Sequence, residues 1–92
     1  MRNIKLTISY DGTNYSGWQV QPNGLAIQEV LQIAIRKMTG ETNNLLASGR
    51  TDAGVHALAQ VASFKTEKEI SLDGFRMGLN SDLPKDIKII SA

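Results

Sequence analysis

Between Ile4 and Tyr10 apolar and polar side chains alternate without a break, Ile4, Leu6, Ile8 and Tyr10 against Lys5, Thr7 and Ser9. A period of two places the four apolar side chains on one side of an extended strand and leaves the other side polar. A half-buried strand needs a cover, and the next periodic segment supplies it. Ile27, Val30, Leu31, Ala34, Ile35 and Met38 recur at spacings of three and four, which predicts a helix with a single apolar face, while Gln28, Glu29, Gln32, Arg36 and Lys37 fall elsewhere. Arg36 and Lys37 suit the partial negative charge of the helix C-terminus, Gly40 is a natural terminator, and Asn23 is the candidate cap at the start. Between strand and helix, Asp11-Gly12-Thr13-Asn14 carries turn chemistry. The run YSGWQVQPN, closed by Pro22 and Gly24, reads as an irregular connection too polar to be core.

Two further strands are expected over roughly Asn43 to Ser48 and Gln60 to Thr66. Ser71 then caps a second helix carrying Leu72, Phe75 and Leu79, with Asp73 in its first turn and Pro84 beyond its end, and Ile87 to Ser91 forms a short last strand. The order β, α, β, β, α, β is that of an α+β, ferredoxin-like domain, an antiparallel sheet with both helices on one face. A length of 92 residues fits one such domain, residues 1–92, and 41% hydrophobic with 21% charged residues excludes a disordered chain. Ten Lys and Arg against nine Asp and Glu create no strong field, so any case for a polyanionic partner must rest on local residues. The chain has no cysteine, which rules out disulfides, thiolate metal sites and a cysteine nucleophile. Without a signal-like h-region or an apolar run of membrane-spanning length, a cytoplasmic protein with no membrane association is expected.

Chemistry concentrates between the second and third strands, where GRTDAGVHA places Arg50, Asp52 and His56 within seven positions, with the two glycines Gly49 and Gly54 in the same run. Glycines let such a loop bring its polar groups close to a ligand. From the residues alone, a surface turn with an Arg50–Asp52 ion pair accounts for the same pattern. A hydrolase triad from Ser48, Asp52 and His56 lacks a nucleophile elbow, and Asp52 with His56 is too small a set for a metal.

The run GRTDAGVHA, preceded by YDGTNYSGWQVQP and followed by QVASF and LNSDLPKDIKI, resembles the signature set of the TruA family of pseudouridine synthases. The four segments stand in the family's order and together cover nearly the whole chain. The resemblance implies that Asp52 is the catalytic carboxylate and that Arg50 contacts RNA and holds the target nucleotide out of the stack. It implies tRNA, through its anticodon arm, as partner and substrate, and a homodimer in the full-length protein. It also places Gln19 and Gln21 beside the cleft as RNA contacts. His56, the only histidine, has no partners in the sequence for a ligand or acid-base role and reads as structural or RNA-facing. Leu79, Asn80, Leu83, Pro84, Asp86 and Ile87 become scaffold for the catalytic loop.

The implied reaction breaks the bond from C1′ to N1 of uridine, turns the uracil and rejoins it through C5, with no redox change, so neither cofactor nor metal is expected. A carboxylate near C1′ either attacks or stabilises the sugar, or removes the 2′ proton, and the sequence leaves these open. Each role needs Asp52 ionised, which its ordinary pKa of about 3.9 favours and a neighbouring Arg50 favours further.

Tyr10, Tyr15 and Trp18 are able to stack on bases, but Tyr10 is expected in the core and Trp18 under the loop. The rival function is a noncatalytic RNA-binding module of the same fold. Against it, Gln60 to Thr66 reads QVASFKT and lacks the aromatic RNP1 pattern. A small enzyme or regulatory domain that takes an anion at Arg50 is a third reading, without tRNA dependence. TruA-type enzymes are longer, with a second, similar half and a downstream tyrosine that packs against the target base. The chain is therefore expected to be the N-terminal catalytic half-domain of a longer synthase, with little or no activity of its own.

Overall fold

The computed structural model describes residues 2–15, 17–18, 24, 26–47 and 57–92. Its elements are β1 (Arg2–Tyr10), a single 3-10 turn (Gly12–Asn14), α1 (Ile27–Thr39), β2 (Leu46–Ala47), β3 (Ala57–Thr66), α2 (Leu72–Asp82) and β4 (Ile87–Ser91). The four strands form one sheet in the order β2-β3-β1-β4, with every pairing antiparallel. This is the ferredoxin-like α+β arrangement expected from the sequence.

Alternation sets the register. Ile4 pairs with Phe64 and Leu6 with Ala62 on one side of β1, and Ile8 with Ile89 and Tyr10 with Ile87 on the other. All of these residues are buried, so they share one face. Ile27, Leu31, Ala34 and Ile35 of α1 and Phe75 and Leu79 of α2 belong to the same core cluster, which puts both helices on that face. Phe64 and Phe75 meet edge to face, with ring centroids 5.6 Å apart. Each such side chain contributes about 1.5–3 kcal/mol when fully buried.

Helix ends follow local chemistry. Gly40 closes α1 at φ 70°, a left-handed conformation that favours glycine, and its N–H reaches the Arg36 carbonyl at 2.7 Å. Ser71 caps α2, its hydroxyl accepting the Gly74 N–H at 3.0 Å.

Four expectations are corrected. The N-cap of α1 is Ala26, not Asn23, and it makes no side-chain capping bond. The second strand is Leu46–Ala47 rather than a run from Asn43, because side chains take the backbone groups a ladder would need. The Leu45 N–H donates to Gln32 Oε1, the Leu45 carbonyl accepts from Gln28 Nε2, and Asn43 Nδ2 donates to the Lys65 carbonyl at 2.6 Å. Tyr15, assigned to a connection too polar to be core, is 8% exposed, and Trp18, expected beneath the loop, is 2% exposed. Aromatic area outweighs the polar residues around it, so two side chains of that segment complete the core. β3 starts at Ala57, three residues ahead of Gln60.

The opposite face of the sheet carries Asn3, Lys5, Thr7 and Ser9 of β1, Val61, Ser63 and Lys65 of β3, and Lys88 and Ser91 of β4. Neither helix lies on it. Among the described residues, its strand positions hold three lysines and no carboxylate.

Candidate active site

Arg50, Asp52 and His56, with Gln19 and Gln21, lie outside the described residues, so the site is built here from what surrounds them. Ala47 and Ala57 flank residues 48–56, and both are sheet residues: Ala47 pairs with Ala62, and Ala57 pairs with Tyr10. Tyr10 pairs on its other side with Ile87. One row, Ala57–Tyr10–Ile87, thus crosses three strands at the end of the sheet from which this segment leaves. The β1–β3 register shifts between Ile8 and Tyr10, an irregularity of the kind that often accompanies a functional edge.

The connection after β1 is fixed to the same end. The Asp11 carboxylate accepts from the Thr13 N–H at 3.0 Å and from the Thr13 hydroxyl, which shapes the turn, and the Asp11 N–H donates to the Asp86 carbonyl at 2.9 Å. The Tyr15 hydroxyl donates to Asp86 Oδ1 at 2.6 Å across 71 positions of sequence. Burial, and then the Asp86 carboxylate, push the Tyr15 hydroxyl well above the ordinary tyrosine pKa, so it stays a donor throughout the neutral range.

Gly17 follows at φ 96°, a conformation that favours glycine, and its carbonyl accepts the Ile27 N–H at 3.1 Å. The Trp18 carbonyl accepts the Gln28 N–H at 2.9 Å. These two carbonyls satisfy first-turn donors of α1 for which Ala26 has no side-chain acceptor. The aromatic segment is itself the cap. Trp18 stacks obliquely on Tyr10, ring centroids 5.9 Å apart at 34°, and so leans on the row that includes Ala57.

Tyr10 and Trp18 therefore sit where the sequence puts them, in the core and beneath the connection. Asp86, expected to be scaffold, is the junction of β4 with the connection after β1. The Tyr15–Asp86 pair escapes sequence reasoning, since no periodicity relates residues so far apart. Among the described residues, no group of three His, Asp or Glu side chains could hold a metal ion. No helix formed by the described residues is long and apolar enough to cross a membrane.

Comparison with known proteins identifies the frame. A chain from Pelobacter propionicus called tRNA pseudouridine synthase A is 62% identical over all 92 residues, and one of the same name from Caldicellulosiruptor saccharolyticus is 61% identical over the same span. In both comparisons this chain covers 38% of the relative's length. The profile of the tRNA pseudouridine synthase family matches residues 6–92, from the first strand through the GRTDAGVHA segment to the last strand. The chain belongs to the tRNA pseudouridine synthase family.

Proposed function

We propose that residues 1–92 form the N-terminal catalytic half-domain of an enzyme that isomerises uridine to pseudouridine in the anticodon arm of tRNA, with Asp52 as its catalytic carboxylate. The observation that carries this reading is the family match over residues 6–92, with relatives named tRNA pseudouridine synthase A matching the chain over its full length. The fold supports it: residues 48–56 depart from a sheet end held by Tyr10, Ile87, Asp86 and Tyr15. The lysines of the sheet face opposite the two helices suit a polyanionic partner, as the near-neutral total charge alone does not.

In this reading Asp52 acts at C1′ or at the 2′ proton while the glycosidic bond to N1 breaks. The uracil turns, C5 bonds to C1′, and the C5 hydrogen leaves as a proton. Arg50 occupies the space of the extruded nucleotide or binds the adjoining phosphate, offsetting an unstacking cost of a few kcal/mol. Gln19, Gln21 and His56 contact RNA beside them. The remaining length of the relatives corresponds to a second half that completes the cleft, and the working enzyme is a cytoplasmic homodimer.

Tritium release from tRNA carrying 5-tritiated uridine tests the assignment, because rejoining through C5 expels that hydrogen. The full-length protein releases tritium, and Asp52→Asn binds tRNA but releases none. Arg50→Ala loses tRNA affinity along with turnover. Release by Asp52→Asn would overturn the catalytic assignment, and tRNA binding without release by the wild type would favour a noncatalytic RNA-binding module.

A further inference from the structure

We propose that the Tyr15–Asp86 hydrogen bond is a positioning contact for turnover, holding the sheet end from which residues 48–56 depart in the geometry the reaction requires. The inference rests on the proposed synthase activity and adds to it two residues that never touch the reacting atoms. Asp86 holds two points of the connection after β1: its carbonyl accepts from the Asp11 N–H at 2.9 Å and its carboxylate from the Tyr15 hydroxyl at 2.6 Å. Tyr15 lies two residues before Gly17 and three before Trp18, whose carbonyls take the first N–H groups of α1. Trp18 in turn packs on Tyr10, and Tyr10 pairs with Ala57, the residue that follows His56. One continuous path of bonds and packed rings thus joins β4, the connection after β1, the start of α1 and the first residue of β3.

Tyr15 is buried, and its hydroxyl, bonded to a carboxylate, has a fixed direction; hydrogen bonds to charged groups are stronger than neutral ones. Without it the core still has Tyr15's ring, but the connection loses a side-chain tie to Asp86, the residue that leads into β4. Positioning effects of this kind act on rate, because small displacements of a catalytic group reduce turnover more than binding.

The test uses the full-length protein and single-turnover tritium release at saturating tRNA, well below the melting temperature, with tRNA affinity measured alongside. Tyr15→Phe keeps the ring and removes the donor, Asp86→Leu removes the acceptor, and Asp86→Asn keeps an amide oxygen for the Tyr15 hydroxyl. Tyr15→Phe and Asp86→Leu are expected to slow release about tenfold, the equivalent of about 1.4 kcal/mol, with tRNA affinity within about twofold of wild type and Asp86→Asn restoring most of the rate. A purely structural tie predicts instead that the loss vanishes once rates are referred to folded protein. Wild-type rates in Tyr15→Phe, in an enzyme that Asp52→Asn inactivates, would overturn this proposal and leave the synthase reading intact. A wild type that releases no tritium would remove both.

Discussion

Glu41 shows how one half-buried side chain ties elements together. It follows the Gly40 cap of α1, and its carboxylate accepts from the Thr66 hydroxyl at 2.6 Å and the Glu67 N–H at 3.2 Å, so the helix end is held to the end of β3. The Thr66 hydroxyl, and then the Glu67 N–H, keep this carboxyl below the ordinary glutamate pKa. A depressed folded-state pKa contributes stability that is present above the unfolded value, about 4.3, and lost as pH falls through the folded one. Glu41→Gln should therefore melt lower than wild type near neutrality and show a shallower loss on acidification, the two curves converging in acid. Parallel melting curves against pH would contradict this. The sequence did not announce this contact, nor the Tyr15–Asp86 bond, for the same reason: both join residues whose proximity depends on the finished fold. The proposed role of Asp52 rests on the opposite kind of signal, a contiguous run of residue types.

Elements were legible where periodicity is long. The α1 face, the β1 alternation and the Ser71 cap all stand as the sequence implies, because each is set within a few residues of itself. Legibility failed where side chains replace backbone partners, as at Asn43 to Leu45, and where an aromatic pair turns a polar connection into core. Asn80 on α2 follows the same logic at the edge of the sheet. Its amide donates to the Ile89 carbonyl at 2.9 Å and accepts the Ile89 N–H at 2.7 Å, closing one residue of the outer edge of β4 as a neighbouring strand would. Asn80→Ala leaves both backbone groups without this partner beside a fully buried Ile89 side chain, at a cost of about 1–3 kcal/mol in urea unfolding. Asn80→Asp keeps the acceptor for the Ile89 N–H but sets a carboxylate against the Ile89 carbonyl, so it should recover little of that loss. Wild-type stability in either variant would show that water serves Ile89 as well as the amide does.

For the whole molecule, a radius of gyration of 12.2 Å is close to the roughly 12 Å expected of a compact domain of this length. The 92 residues alone should accordingly unfold in one cooperative urea transition, with a slope of about 1 kcal/mol/M or somewhat above. They should nevertheless release no tritium from tRNA, because they span 38% of the length of their relatives. In the proposed reading, what they offer RNA is the sheet face opposite the core, which carries Lys5, Lys65 and Lys88. Cations with no carboxylate among the described residues of that face contribute to phosphate binding through counterion release, which makes them measurable one by one. In the full-length protein, replacing each lysine by glutamine should weaken tRNA binding nearly independently of sequence and reduce the slope of log affinity against log salt by roughly 1 per lysine that meets a phosphate. All three lysines are exposed and lie outside the core, so the triple variant should melt close to wild type. A triple variant with an unchanged salt slope would place the RNA elsewhere, since no packing argument links these side chains to affinity except through charge.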